Sequence, residues 1–183
     1  ERYTKATIYL AKLLDHVVDY FNATLVFLPH CIENYEKRDD RVVANDIFQA
    51  MVNKHKVKLI THEYSTEELK GVMGMLDILI GGRVHSVIGA LSMNIPSIAI
   101  VTPFDERGRE LIGKMLKQDE WICEVENLTF IALRSKIKRL LTSRDNLRRN
   151  LELQIDSVKQ RAMLNGKLLK TVFNLKKDYD IFP

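Results

Sequence analysis

The stretch from Asp77 to Ile100, DILIGGRVHSVIGALSMNIPSIAI, decides the fold. Asp77–Ile80 is a short apolar run that predicts a strand, and Gly81-Gly82 predicts a turn that ends it. Val84–Met93 follows as a helix, and Ile98–Val101 as a second strand entered after Pro96. A strand returned through a helix to another strand is a βαβ unit, whose strands run parallel. In an open parallel sheet, ligands sit beyond the carboxyl ends of strands, where loops hand over to helices. Arg83, Val84, His85 and Ser86 fall at that place, on the first turn of the helix.

The same alternation runs through the flanking sequence. Ala6, Leu10, Leu13, Leu14, Val17, Val18 and Phe21 recur at three- and four-residue steps and predict an amphipathic helix over 4–21. Thr24–Leu28, closed by Pro29, predicts a buried strand; a polar loop from His30 to Asp40 leads into a helix over Val42–Asn53. Val57–Thr61 is the next strand. Ser65 opens a third helix, with Glu68 completing a capping box. After the central unit come a helix from about Arg107 to Lys117, a strand near Trp121–Val125 and a helix from about Leu128 to Leu141. These elements predict an α/β fold, a doubly wound parallel sheet with helices on both faces, over residues 1–145.

Residues 146–183 form a helical extension of that domain. Leu147, Leu151, Ile155, Val158, Ala162, Leu169 and Val172 make one stripe, which Asn165-Gly166 is expected to break or kink. The stripe needs a covering surface, which is the domain's own sheet, a second copy in a homodimer, or a part of a longer parent protein.

Of the 183 residues, 46% are hydrophobic, enough for a real core. No apolar run approaches the roughly 20 residues that span a bilayer, and Thr4, Lys5 and Thr7 interrupt any signal-peptide pattern at the start. Glu1 in place of Met predicts a chain cut from a longer one. Cys31 and Cys123 lie far apart without metal-ligand spacing, which suits a reducing, cytoplasmic compartment and ordinary core roles. The net charge of +4 is uneven: seven basic residues between Arg134 and Arg149 face one acid, Asp145, and Lys159, Arg161, Lys167, Lys170, Lys176 and Lys177 continue the run. Nucleic-acid grooves interleave aromatics with such residues, and this segment has almost none, so nucleic acid is not expected. Solvated helix faces are the plainer reading; as a binding patch, the segment suits an anionic glycolipid or the inner membrane face.

The candidate chemistry concentrates at the Gly-Gly turn. Free N–H groups and the positive end of the helix dipole favour an anion there. Arg83 adds a planar fork for a carboxylate or phosphate. His85 can hold or release a proton near pH 7. Gly82 lets a ligand approach the backbone. Ser86 either contacts that ligand or satisfies first-turn backbone donors. His30, after a strand and a proline, is an acceptor-site residue or a loop histidine. Asp39 and Asp40 read as loop solvation or a helix N-cap. His16, His55 and His62 have no partner at ligand spacing, and neither metal-ligand clusters nor nucleophile-elbow or phosphate-loop patterns occur.

Arg83-Val84-His85-Ser86, between a Gly-ended strand and a helix leading to Pro96, resembles the signature of the polysaccharide pyruvyl transferase family. LVFLPH at Leu25–His30 followed by Asp39-Asp40, and Tyr64-Ser65 followed by Glu68-Leu69-Lys70, fall in the family's order, so the resemblance covers roughly residues 5–140. It implies the C-terminal, donor-binding half of an enzyme similar in fold to two-domain GT-B glycosyltransferases, with the N-terminal half absent. It further implies transfer of a pyruvyl group from phosphoenolpyruvate onto hydroxyls of a saccharide acceptor, a cell-surface polysaccharide or its lipid-linked precursor. The motif's arginine and histidine would hold phosphoenolpyruvate and assist proton transfer, with no metal or other cofactor. Many relatives carry a lysine after the strand that follows Pro96; here that place reads Phe104-Asp105-Glu106-Arg107, and Arg107 is its nearest substitute. Two other functions compete. A nucleotide-sugar glycosyltransferase of GT-B type would carry a ribose-binding glutamate where this chain has Gly89. A non-catalytic module would bind an anion or assemble through the long helix. The isolated chain is expected to be inactive, because one wall of the cleft between halves is missing.

Overall fold

The computed structural model describes residues 2–33 and 39–173. Lys176 and Lys177, and the middle of the loop after Leu28, lie outside the described residues. In chain order the elements are α1 (Arg2–Phe21), β1 (Leu25–Phe27), α2 (Asp40–Ala50), β2 (Val57–Leu59), α3 (Thr66–Gly74), β3 (Leu79–Gly81), α4 (Val84–Ser92) and β4 (Ser97–Val101). A π-helical segment, Gly108–Met115, precedes β5 (Ile122–Glu124), and α5 (Phe130–Thr142) and α6 (Arg144–Val172) end the described chain. The expected α/β class with parallel strands is what forms.

All strand pairs are parallel, in two ladders. β1 pairs with β2, and β4 lies between β3 and β5. The chain therefore steps from β1 to β2 and then returns to build β3, β4 and β5 as a second group. Along β4 the side chains alternate between two cores, as strand geometry requires. Ile98 and Ile100 face α1 and α5, packing with Leu13, Val17, Leu133, Ile137 and Leu140. Ala99 and Val101 face α3, α4, the π segment and α6, packing with Met73, Val87, Leu91, Ile112 and Leu151. Helix α1 also presents Ala11 and Val18 to α2 and the β1–β2 ladder, so it spans both ladders on one face. Helices thus cover both sides.

The βαβ unit is held tightly. β3 begins at Leu79, two residues later than its apolar run suggests, and Gly81 belongs to the strand rather than to the turn. A Cβ at Gly81 would lie 2.7 Å from Ser86 Oγ and 3.1 Å from both Leu79 Cδ2 and Val87 Cγ2. Helix α4 ends in a left-handed residue, Asn94, with φ 58°. The Asn94 N–H bonds the Leu91 carbonyl and the Ile95 N–H that of Ala90, the hydrogen-bond pattern that turns a helix sharply into the next strand.

Three expectations are corrected. The helix foreseen over 107–117 forms as a π-helix over Gly108–Met115, in which a Cβ at Gly108 would lie 2.8 Å from Val101 Cγ1. Asn165-Gly166 does not interrupt α6, which runs 29 residues. Its stripe is covered only at its start: Leu151 and Ile155 are buried and Val158 packs on the same core, whereas Leu169 and Val172 are exposed. The basic run from Arg134 is not simply solvated. Arg134 stacks on Tyr20 and Phe130 at 5.0 and 5.5 Å, Lys136 donates to the carbonyls of Glu120 and Ile122, Arg144 pairs with Asp77, and Arg148 donates to the Leu76 carbonyl. These cations tie α5 and α6 to the sheet. No helix among the described residues is long and apolar enough to cross a membrane.

Gly81→Ala is expected to destabilise the fold by about 1–3 kcal/mol, because a packed neighbour must move. Gly71→Ala, inside α3 with open space around the added methyl, is expected to stabilise it by up to about 1 kcal/mol. Urea unfolding of the two variants checks the contrast.

Candidate functional site

The loop after β1 and the turn after β3 meet through one carboxylate. Asp40 is the first residue of α2, and its Oδ2 accepts from the backbone N–H of His30 at 3.0 Å and of Cys31 at 2.9 Å. Its Oδ1 accepts from Arg83 Nη2 at 2.7 Å. The Asp40 N–H in turn donates to the Cys31 carbonyl at 2.9 Å. Asp39 is the N-cap of α2, accepting from the Arg41 N–H and from its guanidinium. That contact, with Arg41 as its first cause, holds the Asp39 carboxyl below the usual range. The sequence reading of the pair as a cap is thus right for Asp39. Asp40 does more, by joining two strand ends that share no ladder.

Arg83 is half-exposed, with 54% of its side chain accessible, and one nitrogen is committed to Asp40. Its Nε and Nη1 make no hydrogen bond among the described residues. That turn leaves the N–H groups of Val84 and His85 ahead of the first intrahelical bonds, which begin at Ser86 and Val87. Ser86 is buried and its hydroxyl donates to the Arg83 carbonyl at 2.7 Å. It therefore fixes the turn that carries Arg83. Gly82 is exposed, and a Cβ there would meet nothing closer than 3.9 Å. The backbone is open to a ligand at that point. His85 is exposed and makes no hydrogen bond or ion pair among the described residues.

His30 stands beside this group. Burial first, and then the charges of Arg83 and His85, push its pKa below the ordinary 6.5, against the opposing pull of Asp40. The ring is held neutral near pH 7, and its Nε2 is shielded from solvent without a hydrogen-bond partner. Thus His30, Arg83 and His85 are brought together at the carboxyl ends of β1 and β3, with Gly82 and Ser86 in the turn between. Asp40 is the member that sequence reasoning missed; an acid two residues before an apolar helix pattern was its signal. Arg107 is exposed past the end of β4, on the wall of a shallow depression with Thr102, Phe104, Asp105 and Glu106. No cluster of metal-ligating side chains occurs among the described residues. Chemically, the arrangement offers an anion a guanidinium, two free N–H groups and an unpaired imidazole, all on one rim.

Comparisons with known proteins cover this part of the chain. The family described as polysaccharide pyruvyl transferase matches residues 4–102, which contain β1 to β4 and the whole of the group above. The chain is 25% identical over 141 residues to the amylovoran biosynthesis protein AmsJ of Erwinia amylovora, an alignment covering 77% of this chain and 32% of that protein. The chain thus spans about a third of the length of the curated relative it matches. No solved structure matches it.

The electrostatics of His30 are directly measurable. Its lowered pKa stabilises the fold fully above the unfolded value near 6.5 and is lost as pH falls through the lower folded value. An NMR titration of the ring is expected to give a midpoint below 6.5. Arg83→Ala should move that midpoint up by removing a repelling charge, and Asp40→Asn should move it further down. A midpoint above 6.5 would place the ring in solvent or beside an uncompensated acid.

Proposed function

Since the chain belongs to the polysaccharide pyruvyl transferase family, we propose that it holds phosphoenolpyruvate at the turn from Gly81 to Ser86 for pyruvyl transfer to a saccharide in polysaccharide biosynthesis. The observation that carries this reading is the half-exposed Arg83 fork, oriented by Asp40 beside the free first-turn N–H groups of α4. A small donor that carries both a phosphate and a planar carboxylate suits that combination. His85 is the candidate acid. Its proton goes to the methylene carbon of the donor, which becomes a methyl group, while a saccharide hydroxyl bonds to the adjacent carbon. A second hydroxyl then displaces phosphate and closes a ketal; one hydroxyl proton leaves with the phosphate and the other restores the acid. Stabilisation of the developing charge falls to Arg83 and the helix terminus.

A nucleotide-sugar donor fits the site less well. Gly89 lies in α4 with a Cβ position 3.2 Å from Met73 Sδ, so a ribose-binding glutamate there would need the core to move. We further propose that the donor half acts with the remaining length typical of the family, at the cytoplasmic face of the membrane, and that the isolated chain binds donor without turnover.

Calorimetric titration with phosphoenolpyruvate tests the reading. Arg83→Ala is expected to weaken binding at least about tenfold, through loss of charge-assisted bonds, whereas Lys138→Ala on the exposed face of α5 should leave it unchanged. Equal affinity in the two variants would remove Arg83 from the donor site. In the intact enzyme, His85→Gln should bind donor within a few-fold of the parent and turn over at least about a hundredfold more slowly, the loss expected for a general acid. Near-normal turnover would leave His85 a bystander.

A further inference from the structure

A recess opens beside His30. It has a volume of about 280 Å³ and is walled by His30 and Ile32 from the loop after β1, by Glu63 and Tyr64 ahead of α3, and by Lys70 within it. Met73 and Gly89 lie at its base, where α3 crosses α4. Its size is at the small end for ligand pockets, which suits one pyranose ring rather than a longer oligosaccharide.

Two of its polar groups lack partners. Lys70 is half-buried, yet it makes no hydrogen bond or ion pair among the described residues. The His30 Nε2 also has no hydrogen-bond partner among the described residues, and it is shielded from solvent. The Tyr64 ring, 44% exposed and without a hydrogen-bond partner among the described residues, supplies a flat apolar wall. The charge around the opening speaks against a second anion. Glu63 lines it, and Glu67 and Glu68 occupy the first turn of α3, where the Ser65–Glu68 capping box already satisfies that helix end. What remains is one ammonium, one carboxylate, an imidazole and an aromatic face. A neutral polyhydroxylated ring satisfies all four, because each hydroxyl both donates and accepts.

We infer that the recess between His30 and Lys70 binds a single neutral pyranose residue of the acceptor saccharide, with Tyr64 as its stacking wall and Lys70 and Glu63 as hydroxyl partners. The inference rests on the transfer reading above only for the word acceptor. His30 borders both the recess and the Arg83–His85 group, so a ring seated there presents a hydroxyl toward the donor. Small residues are required at the base: Gly89 leaves the floor open, and any side chain there would press on Met73.

Saturation-transfer NMR on the 183-residue chain tests the recess with methyl β-D-galactopyranoside and methyl β-D-glucopyranoside. Inorganic phosphate and phosphoenolpyruvate run as separate arms. At least one glycoside is expected to receive saturation on its ring protons. Tyr64→Ala and Lys70→Ala should each cut its affinity at least about fivefold, and Lys138→Ala, on the exposed face of α5, should not. Tyr64 is exposed, so its variant is expected to fold, as circular dichroism will verify. No transfer to either glycoside, transfer that survives both substitutions, or phosphate perturbing Tyr64 and Lys70 in place of the glycosides would each overturn the inference. Glycoside binding with no effect of phosphoenolpyruvate at Arg83 would instead sink the donor reading and leave the recess standing. The reverse pattern would do the opposite.

Discussion

The carboxylate of Asp40 is the contact on which the site depends. It gathers the His30 and Cys31 N–H groups on one oxygen and the Arg83 guanidinium on the other. The two ladders of the fold share no strand pairing, so the carboxyl end of β1 and that of β3 need another tie. Asp40 supplies it from the first turn of α2, where a negative charge is favoured by the helix dipole. Three donors compensate its charge, which is what allows a partly buried carboxylate to persist there. Removing the carboxylate would free Arg83 to sweep solvent and would leave two backbone N–H groups unpaired.

That arrangement also explains a division of labour along the rim. Arg83 is anchored but largely open, Ser86 is buried and spent on the turn, and His85 is free. Gly81 enforces the close contact between β3 and α4 that keeps the turn rigid. His30 belongs to both groups. It feels the charges of Arg83 and His85, and it lines the recess shared with Tyr64 and Lys70. A neutral imidazole at that junction separates the cationic Arg83–His85 rim from a recess whose charges balance.

Much of this was legible in the sequence because local chemistry and tertiary need coincide. The βαβ unit around Gly81-Gly82, the Ser65–Glu68 cap and the order of strands and helices follow from patterns a few residues long. Contacts between distant segments were not legible. Asp40 reads as an ordinary cap beside Asp39, and nothing local announces that Arg83, 43 positions away, is its partner. The basic run of α5 and α6 looked solvated because its acceptors, Asp77 and the carbonyls of Leu76, Glu120 and Ile122, belong to other elements. Asn165-Gly166 misled for the opposite reason. Its turn propensity costs about a kilocalorie per mole at the glycine, too little to end a helix with good formers on both sides. The recess was invisible for want of any motif, since its walls come from three separate stretches of chain.

The proposed donor site lies between the Arg83 fork and the first turn of α4. A crystal structure of this chain with phosphoenolpyruvate tests that placement most directly. The expected result is a donor carboxylate or phosphate within about 2.7–3.2 Å of the Arg83 guanidinium and of the Val84 or His85 N–H, with the Asp40–Arg83 pair intact. Donor density elsewhere on the molecule, with Arg83 still paired and its remaining donors facing only water, would contradict it.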